Sequence, residues 1–205
     1  MVTAVPKTPP ETWIAIARKA FVEEGVNGVK VDRLAQRLGV TRGGFYKHFA
    51  DRDDLLARLL ALWETENIFA LDLPPLKTRR QARDALGSLT DRLIEEDGFD
   101  PKFDLAVRDW ARHDRRAAWA LERADARRID LLGRLFLALG CNVEEANVRA
   151  RVFYYHQVGY YALGVKQTTA DRKRLLPVYL RILVGLEHFD SSAAATPKIR
   201  PKKPV

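Results

Sequence analysis

Arg42, Lys47 and His48 stand around two adjacent glycines in LGVTRGGFYKHF, residues 38–49. Side chains of these types donate hydrogen bonds and offer positive charge; as a set they suit binding rather than bond breaking. Each glycine costs about 1 kcal/mol relative to alanine inside a helix, an expense that folding alone does not explain. On a wheel of about 100° per residue, Phe45 and Phe49 share the buried side, while Gly43, Gly44 and Lys47 fall opposite, flanked by Tyr46 and His48. A face stripped of side chains lets the main chain approach a neighbouring surface closely. Thr41 and the open N–H groups at the helix start suit a phosphate. The plain alternative is a Gly-Gly loop with Tyr46 and His48 as ordinary surface groups.

Other chemistry finds little support. The four histidines, His48, His113, His156 and His188, include no i, i+4 pair and no HExxH motif. One cysteine, Cys141, rules out an internal disulfide framework and a thiolate cluster. "GRLFLALG" lacks the Gly-Lys-Ser/Thr ending of a phosphate loop. No metal, no cofactor and no enzymatic activity are expected. The net charge of +8 is uneven: residues 1–52 carry nine basic and five acidic side chains, residues 53–190 balance, and residues 191–205 carry four basic and none acidic. A basic head on a neutral body points to a polyanion partner; a merely solubilising surface is the competing reading. No apolar run approaches eighteen residues, and MVTAVPKTPPETW has no secretory core. The expected setting is the cytoplasm, with no membrane contact.

The elements that must position these groups read as helices throughout. "TPPE" offers Thr8 as cap, and the first helix runs to about Glu24, burying Ile14, Ala17 and Phe21. Val31, Leu34, Ala35 and Leu38 match the amphipathic template for a second, ended by Gly39. Thr41 caps a third. The fourth opens at Asp51 and continues to Pro74-Pro75. Further helices are expected over 81–96, from "DPKF" past Trp110, over 114–139, from Asn142 to Gly164, and over about 171–189 with Pro177 delaying or bending the last. The expected fold is all-α with about nine helices. Residues 8–52 would form a three-helix helix-turn-helix domain, 53–190 a second helical domain, and 191–205 a disordered basic tail.

Two short helices joined by a tight turn, the second basic and thinned by glycine, describe a reader of the DNA major groove. Arg42 is the candidate for a base edge, most simply guanine O6/N7. Thr41, Tyr46, Lys47 and Arg52 are candidates for phosphate contacts, and His48 for either. At this point VKVDRLAQRLGVTRGGFYKHFADRDDLLARLL, residues 29–60, resembles the amino-terminal region of the TetR/AcrR family of transcriptional regulators, over roughly residues 10–62. The resemblance includes the apolar second helix, the Gly-Val-Thr turn, the aromatic-Tyr pair, His-Phe and the acid-capped fourth helix. Two positions depart from it. Lys30 stands where a capping, phosphate-binding Ser or Thr is usual, and Gly44 where Ser or Thr is common.

The rest resembles that family in length, helix count and the segment "FDLAVRDWARHD". VFYYHQVGYYALGV (152–165) and LLPVYLRILVGL (175–186) are apolar almost all round, which requires either a deep core or a partner subunit. The resemblance implies the latter: a homodimer through the last two helices, binding a double-stranded palindromic operator with recognition helices about 34 Å apart. It also implies repression, and release by an unknown small-molecule effector transmitted through the fourth helix. The expected effector pocket is Phe103, Val107 and Trp110 facing Tyr154 or Tyr155. The alternative is an architectural or effector-independent DNA-binding protein.

Overall fold

The structure, a computed structural model, describes residues 8–67 and 75–185. Among these the chain is helical and has no strand: α1 (Pro10–Glu24), a 3-10 turn (Val26–Gly28), α2 (Val31–Leu38), α3 (Arg42–Phe45), α4 (Arg52–Glu66), α5 (Arg79–Glu95), α6 (Pro101–Ala111), α7 (Arg115–Leu139), α8 (Val143–Ala162) and α9 (Thr169–Val184). An amino-terminal three-helix unit precedes a helical body, the all-α class expected.

Local chemistry sets most of the helix ends. The Asp100 carboxylate accepts from the N–H groups of Lys102 and Phe103, Asp114 from Arg116 and Ala117, and Asn142 from Glu145, each covering donors that a first helical turn leaves open. Gly39 ends α2 in the left-handed conformation (φ 66°, ψ 29°), which a residue with a Cβ resists.

Three ends differ from the sequence reading. Pro9, not Thr8, occupies the cap position of α1, and no side chain caps it; Pro10 holds the residue before it extended and so displaces Thr8 outward by one. Pro177 lies inside α9, which begins earlier at Thr169 under a Thr168 cap. Helix α4 stops at Glu66, because Asn67 turns inward and is 2% exposed. Its side-chain oxygen accepts from the Asp100 N–H (2.6 Å) and its amide donates to Asp104 Oδ1 (3.3 Å), so bonds to α6 replace a further helical turn. The expected continuation over 68–73, the end of the last helix near Phe189, and the tail at 191–205 lie outside the described residues.

Two cores hold the chain. The first gathers Trp13, Ala17 and Phe21 of α1 with Leu34, Phe45, Phe49 and the Leu55, Leu56, Leu59 face of α4. Trp13 is fully buried with its ring edge-on to Phe45 (5.4 Å), leaving Ile14 only half-buried. This core continues past residue 52 into Phe103, Val107 and Trp110 of α6 and Ala117, Ala120 and Ala124 of α7, so the first half of the body is the platform under the amino-terminal unit. The second core joins α5, the later half of α7, α8 and α9 through Leu86, Leu132, Phe136, Phe153 and Leu180.

Candidate nucleic-acid interface

Phe45 and Phe49 anchor the segment after the turn: both are buried and stacked on each other (4.9 Å). Arg58 of α4 braces its far end, donating to the His48 carbonyl (3.0 Å) over the Phe49 ring. Regular helix covers only Arg42–Phe45; residues 46–48 continue as turns, with the Phe49 N–H bonded to the Phe45 carbonyl (3.1 Å). With the phenylalanines inward, Thr41, Arg42, Gly43, Tyr46 and Lys47 are exposed and His48 is half-buried.

The glycines separate into two environments. A Cβ added at Gly43 would meet only Thr41 Oγ1 at 3.7 Å, and one at Gly44 would meet Trp13 Cζ2 at 3.7 Å. Both are ordinary contact distances, and neither residue has a left-handed backbone. The chain's own packing therefore does not require glycine at either position. Gly43 lies on the exposed face, whereas a side chain at Gly44 would lie towards Trp13.

Cations surround that face unequally. Lys30, at the start of α2, and Lys47 are exposed and make no ion pair among the described residues. Arg33 and Arg37 are tied to Glu24, at 2.6 Å each. Arg42 Nε pairs with Asp32 Oδ1 of α2 at 2.8 Å, both well exposed. The Tyr46 phenol and then the Asp32 carboxylate hold the Arg42 guanidinium above its ordinary pKa. Asp32 thus orients Arg42 across the two helices, a role that nothing in the local sequence signals, since the residues belong to different elements. Asp32→Asn is expected to tighten binding to random DNA about fivefold at low salt, the effect of removing about 1 kcal/mol of water-screened charge repulsion. Fluorescence anisotropy on a random duplex checks it, and unchanged affinity would remove Asp32 from the interface.

Arg52 is placed differently from the expectation of a phosphate anchor. Its Nε donates to the Val29 carbonyl and its Nη2 to the Val26 carbonyl, both at 2.6 Å. The Val26 carbonyl also accepts from the Val29 N–H within the 3-10 turn (3.3 Å), and Arg52 straps that turn to the start of α4.

The residues expected to line an effector pocket do not converge. Phe103 and Trp110 pack edge-on against Phe21 of α1 (6.0 and 5.8 Å), and Val107 is buried with them in the core beneath the amino-terminal unit. Tyr154 points its hydroxyl into a charged cluster, donating to Asp125 (2.6 Å) and accepting from Arg108 (2.7 Å) and Arg128 (3.0 Å). Tyr155, the next residue on α8, faces solvent. Aromatic spacing along one helix does not reveal which neighbouring helix each face meets. A partly open cavity lies elsewhere in the body, between α5, α8 and α9. Among the described residues no cluster of His, Cys, Asp and Glu could hold a metal, and no helix is long and apolar enough to cross a membrane.

Comparison with known proteins agrees with this geometry. The model of the bacterial regulatory proteins, tetR family, matches residues 14–59, which span α1 to most of α4. HTH-type transcriptional regulators of Staphylococcus aureus strains USA300 and NCTC 8325 are each 48% identical over 40 residues, 20% of this chain and 22% of theirs. The match therefore covers about a fifth of the length of those relatives. A transcriptional regulator from Rhodococcus sp. Rha1 has a similar fold, with a TM-score of 0.61 and 20% identity over 88% of this chain and 94% of its own. Residues 14–59 of this chain, with the exposed Gly43 and the Phe45–Phe49 anchor, are thus similar to the amino-terminal region of the bacterial regulatory proteins, tetR family.

Proposed function

We propose that the protein is a DNA-binding transcriptional regulator that holds a palindromic operator as a homodimer, represses from it, and is released by a small molecule bound in the body. The observation that carries the DNA-binding part is the exposed Gly43 face beside Arg42, bare without any need of its own packing. In this reading Arg42 reads a base edge, Lys30, Thr41, Tyr46 and Lys47 hold phosphates, His48 serves either, and Gly43 and Gly44 permit main-chain approach. Arg52 supports the site from behind.

Homodimerisation rests on the outer faces of α8 and α9. Val148, Val152 and Tyr155 on α8 and Val178 and Ile182 on α9 are exposed, with Ile182 71% so. Val148, Val152 and Ile182 border one open groove. A second copy related by a two-fold axis would cover the same patch on both chains.

Selection of bound sequences from random DNA, followed by titration of variants, tests the reading. The wild type should prefer one palindrome by about three or more decades. Arg42→Ala should lose about 1–3 kcal/mol on that site and relax preference at one base position. Lys47→Ala should weaken all sequences alike and reduce the salt slope by about one. Equal behaviour of the two variants refutes the assigned roles. The absence of a preferred palindrome supports an architectural DNA-binding protein instead.

A further inference from the structure

The cavity between α5, α8 and α9 has a volume of about 60 Å³ and walls that include Leu93, Ile94, Phe153 and Leu180. Two polar side chains that line it, Gln157 and Arg172, have no carboxylate partner among the described residues. Gln157 is 8% exposed, and its amide Nε2 makes no hydrogen bond of full geometry, its side chain reaching only weakly towards the Tyr161 hydroxyl. Arg172 makes no ion pair among the described residues. Its guanidinium lies over the Tyr160 and Tyr161 rings (4.7 and 5.5 Å) and reaches the Leu93 and Ile94 carbonyls and the Tyr161 hydroxyl, all at 3.3 Å, longer than the bonds of about 2.7–2.9 Å that a guanidinium forms with a carboxylate. No acidic side chain lines the cavity. Burial, and then Arg172, hold the His156 imidazole below its ordinary pKa, so Arg172 is the cation there at neutral pH.

We propose that this cavity binds a small amphipathic organic carboxylate, its carboxyl group taking hydrogen bonds from Gln157 Nε2 and Arg172 and its apolar part lying against Leu93, Phe153 and Leu180. A volume of 60 Å³ admits the carboxyl head and little more, for an apolar cavity that accepts benzene measures about 150 Å³. A longer body requires α9 to yield against α8, where His156 and Tyr179 now touch ring to ring (5.1 Å). Those two helices also carry the exposed Val152 and Ile182, so filling the cavity bears on the proposed dimer face. This last step rests on the effector-released reading above; binding itself does not.

The test uses the full chain with benzoate and hexanoate as probes, and benzamide and hexanamide as uncharged controls of matched shape. Calorimetry and thermal melting without DNA should show carboxylate binding at millimolar or lower concentration and at least tenfold weaker binding of the amides. Gln157→Leu should melt close to wild type, since it removes a donor that is only weakly satisfied, and bind carboxylates about tenfold or more weakly. Arg172→Met should erase the preference for carboxylate over amide. If Arg172 only covers carbonyls at the end of α5, its loss lowers the melting temperature and leaves that preference intact, which overturns the proposal. So does the absence of carboxylate binding, or binding that survives in Gln157→Leu. Binding that both variants lose, with operator affinity unaffected by the probes, upholds the site and counts against effector release.

Discussion

Asp104→Ala is expected to destabilise the chain by about 3–5 kcal/mol, the usual cost of removing one partner from a buried ion pair. Asp104 is 2% exposed and accepts from Arg128 Nη1 (3.0 Å) and Arg108 Nε (2.8 Å), as well as from Asn67. Arg128 is 3% exposed and also donates to the Asn67 carbonyl (2.6 Å). A guanidinium keeps its proton in proteins even without a partner, so Arg128 stays charged when the Asp104 carboxylate is removed, with the more exposed Asp125 at 3.6 Å its remaining acidic neighbour. Tyr154, pushed up by burial, remains a neutral phenol and cannot replace that carboxylate. The cluster ties Asn67, at the end of α4, to α6, α7 and α8. Arg18 of α1 adds bonds to Glu66 and Asp100, 2.8 Å each. Urea denaturation measures the loss, and a change under 1 kcal/mol would show that water reaches Arg128 freely.

If the proposed homodimer forms through α8 and α9, Ile182→Glu is expected to convert it to monomer and weaken operator binding by about 10²–10⁴-fold. That is the usual advantage of two linked modules over one, and it disappears when each half-site must be held alone. Two negative charges would face each other across the two-fold axis in an apolar contact, where desolvation makes them costlier than at the surface. Ile182 is largely exposed in the single chain, so the folded monomer loses little and the melting curve separates this effect from unfolding. Sedimentation velocity together with operator titration checks both parts. A variant that remains dimeric would move the interface off this face of α9.

The helices themselves were legible wherever their ends are written locally. Asp100-Pro101, Asp114, Asn142, Gly39 and Gly140 mark boundaries that the structure places at those residues. The Phe45–Phe49 spacing foretold which face of the turn-and-helix segment is buried. The end of α4 was not legible, because Asn67 leaves the helix for partners 33 and 37 residues away. Trp13 over Ile14 is a similar case, decided by a ring that meets Phe45 across the domain.

By itself, then, the sequence determined the helical class, most of the caps and turns, and a basic, glycine-thinned segment, since each depends on residues within one or two turns of each other. Only the tertiary structure decided that Arg42 leans on Asp32, that Arg52 turns inward, that Phe103 and Trp110 support α1 rather than a ligand, and that Gln157 and Arg172 share a cavity. Those pairings join different helices, and the direction in which one helix meets another depends on how whole faces pack, which no short-range pattern of residue types records.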